Sequence, residues 1–332
     1  MEIRADGEGL RIVPAEGSVS VDRFSRNRIL ALYRQRYRVP PELEAEFEPF
    51  ELRETTVSRL VYAWPMRPGS PRFYAWVVQQ PRYYRAHRWE YDGIAEEAAR
   101  FEAEAPFLDV GCGAGNLLRV LRDRTPVRAV GLDTTPQSVE RCREAGFEAE
   151  VGTLQDHAER AAHRGRYAGI SLTHVLEHVA DPVGTVKAGL ELLRPGGVLF
   201  LSTPYSPLSA EQARYDPLNL PPHHVTRWRL TTYQHLAEAV GGVDLSVRMP
   251  RRSAFGHCRR AAWYRAVPSE TTTMWSSAAR AASLPVVGAR VATAWLLDEE
   301  LRRSARAWVR DRDRVNGQIA TDVILAMLRL PG

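Results

Sequence analysis

Cysteine is nearly absent from this 332-residue chain, which has only Cys112, Cys142 and Cys258, and no two of them stand at ribbon spacing. That argues against a disulfide framework and a zinc ribbon, and makes a reducing cytoplasm the expected location. Lysine is scarcer still: Lys187 stands alone, so nearly every base is arginine. The nucleotide composition of a gene explains such a bias as well as any function does. No apolar run is long enough to span a bilayer, and the opening MEIRADGEGLR has neither the basic region nor the apolar stretch of a secretory signal. An excess of one charge is lacking too. Lys and Arg number 45 against 40 Asp and Glu, and the signs interleave, so the pull of a +5 net charge toward a nucleic-acid partner is discounted. There is neither an internal repeat nor a low-complexity tract.

What is present is concentrated in the middle. The run FLDVGCGAGN over residues 107–116 reads as a short buried strand, a glycine turn and a helix start. A second strand, VRAVGLD over 127–133, ends in a carboxylate. Such a βαβ unit grips an adenosine-containing ligand: glycines let the backbone approach where a Cβ would clash, and an acid ending the next strand bonds ribose hydroxyls. The glycine spacing separates the candidates. A dinucleotide fingerprint places its third glycine three residues after the second. Here Gly111, Gly113 and Gly115 alternate, and Asn116 holds that place. An acid, Asp109, also precedes the turn. The pattern fits a cationic nucleoside bearing an amino acid, S-adenosylmethionine, better than a pyrophosphate. A plain loop-closing turn is the alternative.

The downstream pattern is that of an α/β sheet. The expected elements are strand 107–110, helix 115–123, strand 127–132, helix 136–145, strand 147–151, strand 167–173, helix 182–193 and strand 198–202. Asp181 and Pro182 supply a cap and a first-turn proline, and Val183, Val186, Leu190 and Leu193 repeat at helical spacing. A helix over 231–240, a strand over 243–249 and a last strand over 317–329 follow. Helices over about 258–314, with Leu297, Leu301, Ala305 and Trp308 along one face, interrupt the sheet before that last strand. Before the core, a helix around 28–37 and strands at 50–53 and 58–63 are expected. The aromatic block over 72–91 reads either as an amphipathic helix pair docked on the core or as a lid over the site.

LDVGCGAG, GLD, HVLEHVADP, LLRPGG and LFLSTP stand in this order, and with them the chain resembles class I S-adenosylmethionine-dependent methyltransferases over roughly residues 105–250. The similarity is to the bacterial small-molecule branch of the ubiquinone O-methyltransferase type. The stretch FY, YY and RWEY within 73–91 is similar to methyltransferases of surface-glycan pathways, although this chain has no cysteine before Cys112. The resemblance implies a doubly wound seven-stranded sheet over residues 81–252, an N-terminal accessory region or lid over 1–80, a helical insertion over 253–316 and the last strand over 317–332. S-adenosylmethionine is the implied cofactor and a small molecule, a sugar or secondary metabolite, the implied methyl acceptor. A homodimer is compatible with the sequence. An RNA methyltransferase and a non-catalytic S-adenosylmethionine-binding scaffold remain as alternatives.

A sulfonium already activates its methyl group, so the protein must align a nucleophile in line with it and manage one proton. Asp133 is expected at the ribose, with Thr134 beside it; capping the following helix is the plainer role for that aspartate. Asp109, Gly111, Cys112, Gly113 and Gly115 are expected along the methionine end. Thr153, where the family commonly has an acid, and Leu154 are expected near the adenine, and Thr173 and His174, which close the next strand, are expected to contact the cofactor as well. His178 is the expected general base toward an acceptor hydroxyl, and His223 and His224 are acceptor contacts or an alternative base. His174, Glu177 and His178 also match the H-x-x-E-H spacing of inverted zinc peptidases, a reading rejected because the segment follows a strand of a cofactor-binding sheet. Some relatives hold a divalent cation with acidic residues and the last histidine of this run; His174 stands where one acid would be. No metal ligand is assigned.

Overall fold

The computed structural model describes residues 17–81, 83–206, 217–250, 314–315, 318–319 and 323–332. The chain enters through β1 (Ser18–Phe24), α1 (Arg26–Arg34), β2 (Phe50–Thr55), β3 (Val61–Trp64) and α2 (Pro71–Val77). Ser25 and Ser70 cap the two helices, each accepting a backbone N–H of the first turn. β1, β2 and β3 form an antiparallel sheet whose fourth strand is β9 (Thr226–Arg227), a short piece from far along the chain. Ile29, Tyr33, Phe47, Phe73 and Val77 fill the space beneath. The expected strands at 50–53 and 58–63 correspond to β2 and β3, and the accessory region draws part of its sheet from beyond residue 80.

The central sheet begins after α3 (Trp89–Ala98). It contains β4 (Pro106–Val110), β5 (Arg128–Asp133), β6 (Ala149–Val151), β7 (Tyr167–Thr173), β8 (Leu193–Pro204), β10 (Asp244–Arg248) and β13 (Val323–Arg329). The helices are α4 (Asn116–Arg124), α5 (Pro136–Glu144), α6 (Leu154–Glu159), α7 (Pro182–Leu192) and α8 (Leu230–Val240). Strand order is β6-β5-β4-β7-β8-β13-β10, the seven-stranded doubly wound sheet anticipated. Every pair is parallel except the two made by β13, which is antiparallel to both neighbours.

Continuous apolar runs make these strands because both faces are covered. The pleat sends alternate residues to opposite sides. Phe107, Val198 and Phe200 meet Ile94 of α3 and Leu117 and Leu121 of α4. Leu108, Leu199 and Leu201 meet Val183 and Val186 of α7 and Leu236 of α8. The order reverses between β4 and β7, and a cleft opens beyond their carboxyl ends, where ligands bind in such sheets.

Three departures from expectation are the largest. β8 starts at Leu193 rather than 198, because the Arg194–Gly197 stretch that ends α7 already runs in the strand, with Gly196 at φ 71°. α6 arises between two expected strands where no element is expected; Thr153 and Asp156 cap it reciprocally. β13 starts at Val323 rather than 317, and β12 (Gln318–Ile319) pairs instead with β11 (Arg314–Val315) in a two-stranded ladder. The expected helices over 258–314 lie almost wholly outside the described residues. No helix among the described residues is long and apolar enough to cross a membrane.

Candidate active site

The loop between β4 and α4 carries the first half of the site. Gly111, Gly113 and Gly115 have φ of 72°, 54° and 74°, the left-handed region that an L side chain enters only with strain. Each glycine is also crowded. A Cβ on Gly113 would come within 2.4 Å of the Tyr84 ring, and one on Gly111 within 2.6 Å of Val175. On Gly115 it would meet Phe147 and Cys142, so that glycine lets α5 pack. Asp133, at the end of β5, fastens the loop. Its Oδ2 accepts the Gly113 N–H at 3.0 Å and its Oδ1 accepts the Thr135 N–H at 2.8 Å. Burial raises the Asp133 pKa, and those two amides restrain the rise.

A cavity of about 800 Å³ lies over this loop. Gly111, Cys112, Gly113, Asp133 and Thr134 line one end, with Thr153 and Leu154 beside them. Thr173, His174, His178, His223 and His224 line the other. Asp109 and Gly115 do not line it, contrary to expectation. Asp109 falls on the Phe107 face of the pleat, where its buried Oδ1 accepts the Ser171 hydroxyl at 2.7 Å. The Thr153 hydroxyl is occupied in capping α6.

Second-half geometry depends on tertiary bonds. After β7, His174 takes a φ of 55° and residues Leu176–His178 form one 3₁₀ turn, so His174 and His178 do not share a helix face as a zinc peptidase motif would require. His174 Nδ1 is 3.0 Å from Glu177 Oε1, and Nε2 is 2.9 Å from Glu90 Oε1 and 2.8 Å from Arg88 Nη1. Burial disfavours the Glu90 charge, but His174 and Arg88 outweigh it and hold that carboxyl below its ordinary range. His174 and Glu177 thus engage each other through one carboxylate oxygen, Oε1.

The Pro221–Trp228 segment comes back over this turn. Val225 N–H donates to the Glu177 carbonyl at 2.8 Å and the Thr226 hydroxyl to the Leu176 carbonyl at 3.0 Å. That brings His223 and His224 beside His178. His178 Nδ1 donates to the His223 carbonyl at 2.7 Å, which leaves its Nε2 as a lone pair. His223 Nδ1 donates to the Leu218 carbonyl at 2.8 Å, and its Nε2 accepts the Tyr83 hydroxyl at 3.0 Å. Burial lowers the pKa of all three histidines, that of His223 and His224 strongly, so the rings are neutral. Burial also raises Tyr74 and Tyr83, which stay protonated donors.

A profile of the family described as methyltransferase domain matches residues 81–247, half of the chain. The chain belongs to that family. Its sheet order and glycine loop are those of a class I S-adenosylmethionine-dependent methyltransferase. Ubiquinone biosynthesis O-methyltransferase of Xanthomonas oryzae pv. oryzae (strain PXO99A) is 38% identical over 105 residues, 30% of this chain and 44% of that protein. The Sodalis glossinidius enzyme of the same name is 37% identical over 102 residues, 29% and 40% of the two chains. The chain therefore spans less than half the length of these relatives. Among solved structures, YcgJ protein from Bacillus subtilis aligns with a TM-score of 0.47 at 17% identity, over 74% of this chain and all of that one.

Several residues given no site role from the sequence also lie at the cavity. Tyr84 lies against Gly113 and bonds Ser138 at 2.6 Å, and Asn116 Nδ2 donates to the Arg85 carbonyl at 3.0 Å, so the 83–85 stretch covers the glycine loop. Tyr74 and Tyr83 reach the histidines while Phe73 and Val77 sit in the N-terminal core. The aromatic block thus contributes both to packing and to the cavity wall. Two buried oxygens on that wall, Thr173 Oγ1 and Glu177 Oε2, have no hydrogen-bond partner among the described residues.

Proposed function

We propose that this protein transfers a methyl group from S-adenosylmethionine to an oxygen of a small molecule, with His178 receiving the acceptor's proton. The observation that carries this reading is one cavity with a glycine cradle tied to Asp133 at one end and a neutral imidazole lone pair at the other. The cradle fits the cofactor: Gly111, Gly113 and Asp133 all line the cavity, and the buried Thr173 Oγ1 on the cavity wall is unpaired among the described residues.

When bound, S-adenosylmethionine supplies a methyl group already activated on a sulfonium. This chain's residues supply the rest. Gly111–Gly113 bring backbone close to the ligand, and Asp133 has lone pairs to spare for ribose hydroxyls. Tyr84 covers the loop and keeps water from it. His178, fixed by the His223 carbonyl, presents Nε2 to an acceptor hydroxyl held in line with the donor. A role in oxygen methylation is supported by the similarity to enzymes named as ubiquinone O-methyltransferases, though over only part of their length.

Asp133→Ala should weaken S-adenosylhomocysteine binding by roughly ten- to a hundredfold, the equivalent of about 1.5–3 kcal/mol for hydrogen bonds to a charged group. Calorimetry on the purified full chain reads this directly. Turnover to S-adenosylhomocysteine across a panel of sugars, phenols and other hydroxyl compounds tests the acceptor class. A chain that gives no heat with either the methyl donor or its demethylated product is not a methyltransferase.

A further inference from the structure

We infer that His178, His223 and His224 form a three-imidazole site for a divalent transition-metal cation of the zinc, cobalt or nickel kind. A ring nitrogen of each lies within 4.8 Å of the others. The rings also pack on one another, with centroids 4.4 Å apart for His178 and His223, 4.8 Å for His178 and His224, and 4.6 Å for His223 and His224. Bonds of about 2.0–2.1 Å to one tetrahedral ion put ligand nitrogens about 3.4 Å apart. The backbone is pinned by the Val225–Glu177 and Thr226–Leu176 hydrogen bonds, so closing onto an ion falls to rotation of the three side chains.

Three further features suit a cation. Two rings are anchored through Nδ1 to backbone carbonyls, His178 to His223 and His223 to Leu218, which aims the opposite nitrogen as in ligand histidines. Glu177 supplies a buried carboxylate whose Oε1 is 4.0 Å from His224 Nε2 and whose Oε2 has no partner, placing negative charge beside the ligands. All three rings line the cavity, which provides an entry path. An all-nitrogen donor set selects zinc, cobalt or nickel over magnesium or calcium, which prefer oxygen.

A bound cation takes the His178 lone pair that would otherwise receive the acceptor's proton. Loading and base catalysis therefore exclude each other, and the metal inhibits methyl transfer. The inference goes beyond the methyltransferase reading, and cation binding is measured with neither methyl donor nor acceptor present. Failure of one leaves the other standing.

The test uses the untagged full chain, stripped with a chelator and titrated with Co²⁺. One ion per chain should bind, with the visible absorption of tetrahedral or five-coordinate nitrogen ligation. His224→Ala and His178→Gln should each weaken binding tenfold or more. His163→Ala, which removes a ring stacked on His157 at 3.9 Å by α6, should not. Tyr83→Phe, which frees His223 Nε2 from a hydroxyl, should tighten it. Thermal transitions show that each variant is folded. Absence of the absorption band, or equal losses in His224→Ala and His163→Ala, overturns the site. Weaker binding in Tyr83→Phe overturns His223 as a ligand.

Discussion

His178→Ala slows methyl transfer by about 10²–10⁴-fold, the usual worth of a general base, and leaves S-adenosylhomocysteine affinity unchanged. The size follows from what no neighbour can replace. His223 lies beside it, but both of its nitrogens are engaged, by Leu218 and by Tyr83. Nε2 of His224 is 4.0 Å from Glu177 Oε1, so a proton passed there would reach a different part of the wall. Among the described residues, His178 alone of the three has one ring nitrogen donating to a backbone carbonyl and the other without a hydrogen bond to the protein. Burial disfavours its charged form, so the ring begins the cycle ready to accept a proton. Single-turnover measurement of S-adenosylhomocysteine formation, with chelator present and an active acceptor from the panel, reads the loss. An unchanged rate would remove His178 from proton transfer and make His224 the next candidate. A parallel loss of cofactor affinity would instead mark the histidine as part of the cavity's frame.

The distance between these two outcomes reflects how the site is encoded. The glycine loop was legible because its requirements are local: three residues at positive φ, a strand before and a helix after. The same holds for the start of α7, where Asp181 caps through the Gly184 N–H at 2.8 Å as its Asp-Pro sequence announces. β7 runs over the very residues its apolar run marks. The meeting of His178 with His223 was not legible. Forty-five positions separate them, and they are joined by one imidazole–carbonyl bond and by the bonds that pin residues 225 and 226 to the turn. β9 was invisible for a similar reason: Thr226 and Arg227 have no strand pattern of their own and are strand only because β3 is there to pair with. The aromatic block divides within one helix: Phe73 lies in the N-terminal core, while the adjacent Tyr74 hydroxyl donates to the His223 carbonyl. Period two did contain the correction at Asp109. Leu108 and Val110 go to the face of α7, so Asp109 must go to the opposite face with Phe107.

That placement gives Asp109→Asn an effect on stability that changes sign with pH. The carboxyl of Asp109 is buried with one hydrogen-bond donor, Ser171, and its pKa rises from 3.8 to about 7; burial is the main cause, Ser171 opposes it and the Asp133 charge adds to it. Between those two values the folded chain binds a proton that the unfolded chain has released. Stability therefore falls as pH climbs from about 4 to about 7, and is constant above, once both states are ionised. A shift of roughly three units corresponds to about 4 kcal/mol lost over that range. Asparagine has nothing to ionise. It keeps an oxygen for the Ser171 hydroxyl and leaves its amide short of an acceptor, a cost of about 1–3 kcal/mol. At pH 8 the variant should thus exceed the wild-type protein by about 1–3 kcal/mol, and at pH 4.5 it should fall below it, with a crossing between. Thermal or urea unfolding of the ligand-free proteins at the two pH values measures both signs. A variant less stable at every pH would mean that Asp109 is ionised in the folded protein, held by a cationic partner rather than by Ser171 alone.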